Sequence, residues 1–312
     1  MAHRIVVLGS SSLVGSHFVE TFGHTYELSA LGRRNIFPNQ GVISEFRRID
    51  ITNKDELQHA IRCCEAELVI NFAAETDVDK CELETQAVGG RVFATNTLAP
   101  QWVAEACWDS GKLLYQISTD AVFDGSAGPY KEDHDLGPCT TRMSWYGCTK
   151  NLAEAGIRKS LDSYCIIRIT HPYRAAFEFK TDFARNILAL YSRGQLYPLF
   201  DDQVISPSLV DDVSLALDFL IRRNATGIFH VASRDSTTPF AFGCKLISTF
   251  FGVRNPVSVL RKGSVQEFNR TAGKAPRPVK GGLGTSRVAK MGFIPRTFEE
   301  GIEEIHRQSM MT

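Results

Sequence analysis

Ile5-Val6-Val7-Leu8-Gly9-Ser10-Ser11-Ser12-Leu13-Val14-Gly15 is the stretch that decides the fold. Its first four residues form a continuous apolar run, the pattern of a strand buried on both faces rather than of a leader segment. After the glycine turn, Val14, Phe18 and Phe22 recur at i, i+4 and i+8, and Gly23 supplies a helix stop. Strand, glycine-rich turn and helix in this order make a phosphate-binding turn. Gly9 permits the sharp turn and Gly15 lets helix and strand approach closely. Ser11, Ser12, Leu13 and Val14 then present the helix N-terminus, with its N–H groups and positive dipole end, to a pyrophosphate. Ser12 stands where a middle glycine is usual.

Working outward, a second strand over 25–31 ends at Gly32-Arg33-Arg34. An acidic residue at this place holds the ribose 2′-hydroxyl of NAD, whereas arginine accommodates a 2′-phosphate. Two arginines predict NADP(H) in preference to NAD(H). A third strand, 46–49, runs into Asp50-Ile51, and Thr52 is read as the N-cap of a helix carrying Leu57, Ala60, Ile61 and Cys64 on one face. Leu68–Phe72 is a fourth strand; after it Ala73, Ala74 and Thr76 are small enough for close approach of a dinucleotide. A helix over 96–108 begins at Asn96, with Pro100 near its start. The fifth strand, 113–117, delivers Ser118 and Thr119 at its carboxyl end, the edge where open α/β sheets bind ligands. A helix over 146–159 and a sixth strand over 164–169 complete the alternation, which implies a doubly wound parallel sheet.

Beyond Thr170 the alternation is lost. The reading is an NADP-binding domain over 1–170, to which 209–222 returns, and a smaller lobe over 171–312 that mainly binds substrate. Short strands are expected at 228–232 and 257–260, and a helix at 240–251. The chain has 312 residues, enough for a substantial core, with 43% hydrophobic and 22% charged residues. Its 35 basic and 35 acidic residues balance, and no basic stripe marks a nucleic-acid partner. No apolar run approaches a membrane span. The eight cysteines include no C-x-x-C pair, so no metal site is expected. Several fall in apolar periodic segments as reduced thiols, which fits a cytoplasmic setting. Cys148 is read as a packing residue.

Tyr146 and Lys150 lie four apart on the predicted helix and so share a face. With a hydroxyl residue arriving from a strand's carboxyl end, the pair is a candidate proton-delivery site. These segments together resemble the extended short-chain dehydrogenase/reductase superfamily, and within it the dTDP-4-dehydrorhamnose reductase group. The resemblance runs nearly end to end. It is carried by the Gly9…Gly15 turn, by 69–74 (VINFAA) with 76–82 (TDVDKCE), by 96–100 (NTLAP), and by 117–125 (ISTDAVFDG). It continues through 128–130 (GPY), 146–150 (YGCTK), Asp202-Gln203 with Ser206-Pro207, and 275–278 (APRP).

The resemblance implies a Rossmann fold with a smaller C-terminal lobe, and an NADPH-dependent reductase of a keto group on a nucleotide-linked deoxysugar. Tyr146 is implied as general acid, Lys150 as its activator and as a holder of the nicotinamide ribose, and Thr119 as a hydrogen-bond partner of substrate and tyrosine. A tyrosine titrates near ~10, so work at neutral pH calls for a shift of about 3 units, roughly 4 kcal/mol. Gly9, Ser11, Ser12, Leu13, Val14, Gly15, Arg33, Arg34, Asp50, Ile51, Phe72, Ala73, Ala74, Thr76, Asn96, Ser118, Tyr146, Lys150 and Thr170 are implied cofactor residues.

Asp120, Ala121, Phe123, Arg142, Trp145, His171, Gln203 and Arg277 are implied to face substrate. Here the chain departs from the group: Ala121 stands where a tyrosine is common, His171 where a tryptophan is, and the approach over 138–145 is about four residues longer. His17 replaces a glutamate that some members use for a dimer-bridging metal, so no metal is carried over; a homodimer is left open. Two other readings stand beside the reductase. One is a non-catalytic NADP-binding regulatory subunit, because the β subunit of methionine adenosyltransferase resembles the same branch. The other is a reductase of a different keto sugar or a natural-product ketone.

Overall fold

The computed structural model describes residues 3–37 and 41–311. In chain order the elements are β1 (Arg4–Leu8), α1 (Leu13–Phe22), β2 (Glu27–Gly32), β3 (Glu45–Arg48), α2 (Lys54–Cys63), β4 (Leu68–Asn71), α3 (Val78–Glu82) and α4 (Arg91–Phe93). After a π-helical turn, Ala94–Leu98, come α5 (Ala99–Ser110), β5 (Leu113–Thr119), α6 (Trp145–Ser160), β6 (Tyr164–Ile169) and α7 (Phe183–Ser192). The remainder is β7 (Leu199–Phe200), α8 (Val210–Ile221), β8 (Gly227–His230), α9 (Pro239–Phe251), β9 (Lys262–Gly263), α10 (Val265–Asn269), α11 (Ser286–Lys290) and α12 (Phe298–Ser309).

Seven strands form one sheet in the order β3-β2-β1-β4-β5-β6-β8, in which the β3-β2, β2-β1, β1-β4 and β4-β5 pairs are parallel. Strand order reverses between β1 and β4, and ligands of open α/β sheets bind outside the carboxyl ends at such a reversal. On one face Val6, Leu8, Val69 and Leu114 pack with Leu57, Ile61, Val103, Cys107 and Ile157 from α2, α5 and α6. Phe18 of α1 packs on Phe22, Tyr26 and Phe72, with ring centroids 5.4–6.2 Å apart. Each such fully buried side chain contributes about 1.5–3 kcal/mol.

The chain divides into two compact units. One comprises Met1–Val122, Ser144–Arg168 and Leu217–Phe229; the other comprises Phe123–Met143, Ile169–Ala216 and His230–Thr312. Along the sequence the segments of the two units alternate. The return to the first unit is anchored by Tyr115 of β5, whose buried hydroxyl lies 3.0 Å from the carbonyls of both Leu220 and Ala225. Tyr26 donates to Asp218 at 2.6 Å. The second unit has its own core, with Tyr173, Ile187, Leu199, Phe242, Leu246 and Ile302 at its centre. Its small sheet pairs β7 with β9 in parallel.

Several local expectations are corrected. Thr52 does not cap α2: Asp50 takes its N–H at 3.0 Å and its hydroxyl at 2.8 Å, so capping passes to Asn53, which accepts from the Glu56 N–H. The helix expected from Asn96 begins at Arg91 and passes through the π-turn just before Pro100, whose missing N–H interrupts the regular ladder. Strand 228–232, expected in the smaller lobe, is β8 of the large sheet. At 257–260 there is a 3₁₀ turn, with the strand displaced to β9, because Pro256 starts a turn and cannot donate to a ladder. None of the eight cysteines, all of them among the described residues, is in a disulfide, and Cys81, Cys107, Cys148 and Cys165 are buried. Among the described residues no helix is long and apolar enough to cross a membrane.

Candidate active site

The turn after β1 is built for close approach. Gly9 adopts φ +75°, and a Cβ there would lie 2.7 Å from the amide nitrogen of Ala73, which follows β4. The two carboxyl ends at the strand-order reversal therefore meet, backbone against backbone, through a glycine. At Gly15 a Cβ would collide with the Gly9 carbonyl. Ser12 caps α1, its hydroxyl accepting from Gly15 N–H at 3.0 Å. Gly9→Ala combines left-handed strain with a backbone clash, and is expected to lower stability by about 1–3 kcal/mol, read as a drop in Tm.

Around this turn lie the other expected cofactor residues of the first unit. Ser11 and Leu13 are half-buried and Val14 is buried; Arg33 and Arg34 are exposed directly beyond β2. Asp50 accepts from Thr52 and lies 3.4 Å from Arg91, and its carboxyl is held below the usual range chiefly by the Thr52 N–H. Ile51, Ala73 and Ala74 are half-buried and Thr76 is exposed. Asn71 fixes the start of this loop by accepting from the Ala73 N–H at 3.0 Å. Asn96, wholly buried in the π-turn, is committed to the same loop: its amide binds both the N–H and the carbonyl of Glu75 at 2.9 Å.

The carboxyl end of β5 and the start of α6 hold the proposed acid–base group. Ser144 caps α6, accepting from Gly147 N–H at 3.2 Å. A Cβ on Gly147 would collide with the Ala121 carbonyl, so this glycine lets the helix seat against the turn Asp120–Val122. Asn151 closes the contact by donating to the Val122 carbonyl at 3.0 Å. Tyr146 is thereby brought to Thr119. Burial pushes the Tyr146 phenol up, the Thr119 hydrogen bond draws it down, and Asp120 and Cys81 push it up. Thr119 also accepts from the Ala121 N–H at 3.2 Å and donates to Asp120 at 3.3 Å.

Lys150 is 3% exposed, and its ammonium donates to the Ile117 carbonyl at 2.9 Å. That carbonyl also receives Gln116 Nε2 at 2.8 Å, and Gln116 in turn accepts from Asn71 at 2.9 Å. Burial lowers the lysine to about 8, with Glu154 opposing. The ammonium thus reaches the strand, because a buried charge must find an acceptor. Ser118, expected at the cofactor, has its hydroxyl on Glu154 at 2.5 Å.

Trp145 is 9% exposed and stacks on Phe93 at 6.1 Å, with its backbone N–H on Glu82 at 2.8 Å. Its indole N–H is buried and without a hydrogen-bond partner among the described residues.

The remaining expected residues belong to the second unit. Phe123, 2% exposed, stacks on Tyr130 with centroids 4.0 Å apart. Arg142 is exposed, 3.7 Å from Asp124, a surface pair worth about 0–1 kcal/mol. Thr170 is buried and takes its N–H to Ser208 at 3.0 Å. His171 has φ +42°, rare for a non-glycine residue, and is held by Thr170 at 2.8 Å and by an edge contact to Phe183. Buried Gln203 donates to the Pro278 carbonyl at 2.9 Å, and the Arg277 guanidinium reaches the Ala275 carbonyl at 3.0 Å.

Sequence reasoning passed over Gly147, Asn151, Glu154 and Arg168. Glu154 had a readable signal, being one further helical turn from Lys150 on the Tyr146 face. Arg168 had none, because a lone arginine in an apolar strand says nothing of its partner.

Comparison with known proteins places this geometry among relatives. The profile of a family described as RmlD substrate binding domain matches residues 3–311. The chain is 29% identical over 303 residues to a probable low-salt glycan biosynthesis reductase, Agl14, of Haloferax volcanii, covering 95% of both. It is 30% identical over 243 residues to the dTDP-4-dehydrorhamnose reductase of Streptomyces griseus, covering 75% of this chain and 72% of that protein. The crystal structure of dTDP-4-dehydrorhamnose reductase from Bacillus anthracis in complex with NADP shares its fold, with TM-score 0.79 and 23% identity over 99% of this chain and 100% of that one.

Proposed function

The chain belongs to the family of the RmlD substrate binding domain, and from that membership we propose that it is an NADPH-dependent reductase of a keto group on a nucleotide-linked deoxysugar, with a dTDP-4-keto sugar as the nearest substrate class. The observation that carries the reading is the joining of Thr119, Tyr146 and Lys150 on one sheet edge with the Gly9 turn. The cradle fits a dinucleotide. Gly9 and Gly15 exclude any side chain where a pyrophosphate must meet the backbone, and the ten-residue helix α1 points its N-terminus there. Arg33 and Arg34, exposed beyond β2, are the groups for a 2′-phosphate.

When bound, NADPH supplies the hydride that reaches the carbonyl carbon. The chain's residues manage the proton and the geometry. Tyr146, kept protonated by burial, donates its phenolic proton to the carbonyl oxygen as negative charge develops there. Thr119 holds the same oxygen and the phenol by hydrogen bonds. Lys150 presents a cation to the nicotinamide ribose and to the phenolate left behind. Asp120, Ala121 and Trp145 line the substrate side in the first unit. The buried indole N–H of Trp145 supports this assignment, since an unpaired buried donor favours a polar ligand atom. Arg142, His171, Gln203 and Arg277 are the substrate residues proposed in the second unit.

A screen of NADPH oxidation over 4-keto sugar nucleotides differing in base and sugar tests the reading. Oxidation with at least one, lost in Tyr146→Phe, is expected; no oxidation with any of them overturns it. Replacing Arg33 and Arg34 by serine is expected to raise KM for NADPH by about 10- to 100-fold while leaving that for NADH nearly unchanged.

A further inference from the structure

Beneath the Tyr146–Lys150 pair lies a charge cluster that the proposed chemistry does not use. Tyr146, Lys150 and Glu154 follow one another at i, i+4 and i+8 on α6, so the carboxylate sits one turn along the same helix face. Glu154 is 1% exposed and Arg168, from β6, is 0% exposed. Arg168 grips the carboxylate with two nitrogens, Nε at 3.0 and 3.2 Å from its two oxygens and Nη2 at 2.6 Å from one. Ser118, the residue before Thr119 on β5, donates to the remaining side at 2.5 Å. Three elements of the site, β5, α6 and β6, are thus tied through one carboxylate.

A buried ion pair contributes little net stability compared with apolar residues of the same shape, so such a cluster asks for a further role. Lys150 supplies it. Its ammonium is buried, and among the described residues its hydrogen-bond partner is a neutral acceptor, the Ile117 carbonyl. Burial favours loss of its proton, and the charge of Glu154 acts against this. We propose that Glu154, held by Ser118 and Arg168 one helical turn from Lys150, is a positioning residue that keeps Lys150 charged beside Tyr146. This rests on the role given to Lys150 in the reductase reading.

The groups around the lysine and tyrosine are Glu154 and Tyr146 on α6, Arg168 on β6 behind Glu154, Asp120 in the turn after β5, and Cys81 on α3. Asp120 and Cys81 act on the tyrosine. The sign at the lysine is therefore set by Glu154 and by how much of its charge Arg168 neutralises. Losing the carboxylate lowers the pH at which the ammonium deprotonates; losing the guanidinium raises it.

The test uses Glu154→Gln, Arg168→Gln and the double variant. Two readouts are followed against pH: kcat/KM for NADPH-dependent reduction, and the ¹³Cε shift of Lys150, assigned by its loss in Lys150→Met. Glu154→Gln is expected to move the lysine midpoint and the alkaline limb of kcat/KM downward by about one pH unit or more. Arg168→Gln is expected to move both upward, with the double variant between the two. A cluster that only holds the fold would lower Tm in the single variants and leave the midpoint in place; that outcome overturns the proposal, as do shifts of the same sign in both. If one single variant does not fold, the other decides by whether the midpoint moves in its expected direction. If wild type reduces no keto sugar nucleotide, the reductase reading fails, while the lysine midpoints still judge the role of Glu154.

Discussion

Tyr146→Phe is expected to lower kcat by about 10²–10⁴-fold, the range attributable to a positioned general acid, while leaving the dissociation constant for NADPH within a few-fold of wild type. The physical basis is that the phenol is the group brought to Thr119 at the carboxyl end of β5, and phenylalanine keeps the ring while removing the transferable proton. The seat of α6 against the Asp120–Val122 turn depends on Gly147 and Asn151 rather than on the phenol. Fluorescence titration with NADPH and steady-state kinetics separate the two effects. Loss of NADPH binding in parallel with turnover would mean that Tyr146 supports the cofactor cradle instead of the proton transfer.

Lys150→Met is expected to lower kcat/KM by about 10²-fold or more, and to leave the fold no less stable at neutral pH. The two effects have opposite signs because the lysine is buried as a cation. Its ordinary value of 10.5 is lowered to about 8, so the ammonium costs the folded state roughly 3 kcal/mol at neutral pH, offset in part by the bond to Ile117. A depressed lysine means that the unfolded chain binds the proton more tightly between about pH 8 and 10.5, and stability therefore rises with pH across that window. Activity that needs the ammonium runs the other way and falls above about pH 8. Thermal melts from pH 7 to 10 beside kcat/KM over the same range check both slopes. An alkaline limb unmoved by Lys150→Met would assign it to another group.

The parts of the molecule that could be read in advance are those whose reason is local. The β1 turn is spelled out in eleven consecutive residues because strand, glycine and helix each carry their own pattern, and the observed β1, Gly9 and α1 follow it. The spacing of Tyr146 and Lys150 follows likewise from helix geometry, and both fall on α6. Local competition already defeats such reading where two patterns overlap. Asp50 captures Thr52 and hands the α2 cap to Asn53, and Pro100 turns an expected helix start into a π-turn. The capping box Thr297–Glu300 that opens α12 was equally local and simply overlooked.

What the sequence by itself determined is the phosphate turn, the alternation of strands and helices, and the helical pairing of tyrosine and lysine, because each depends on neighbours within one or two turns of chain. Tertiary structure alone decided that β8 joins the large sheet, that Phe123 is packed in the second unit, and that Glu154 meets Arg168 and Ser118. Those pairings link residues 14 and 36 positions apart through a buried carboxylate. Their reason is the low polarizability of the interior, where a charge persists only if distant parts of the chain converge to satisfy it.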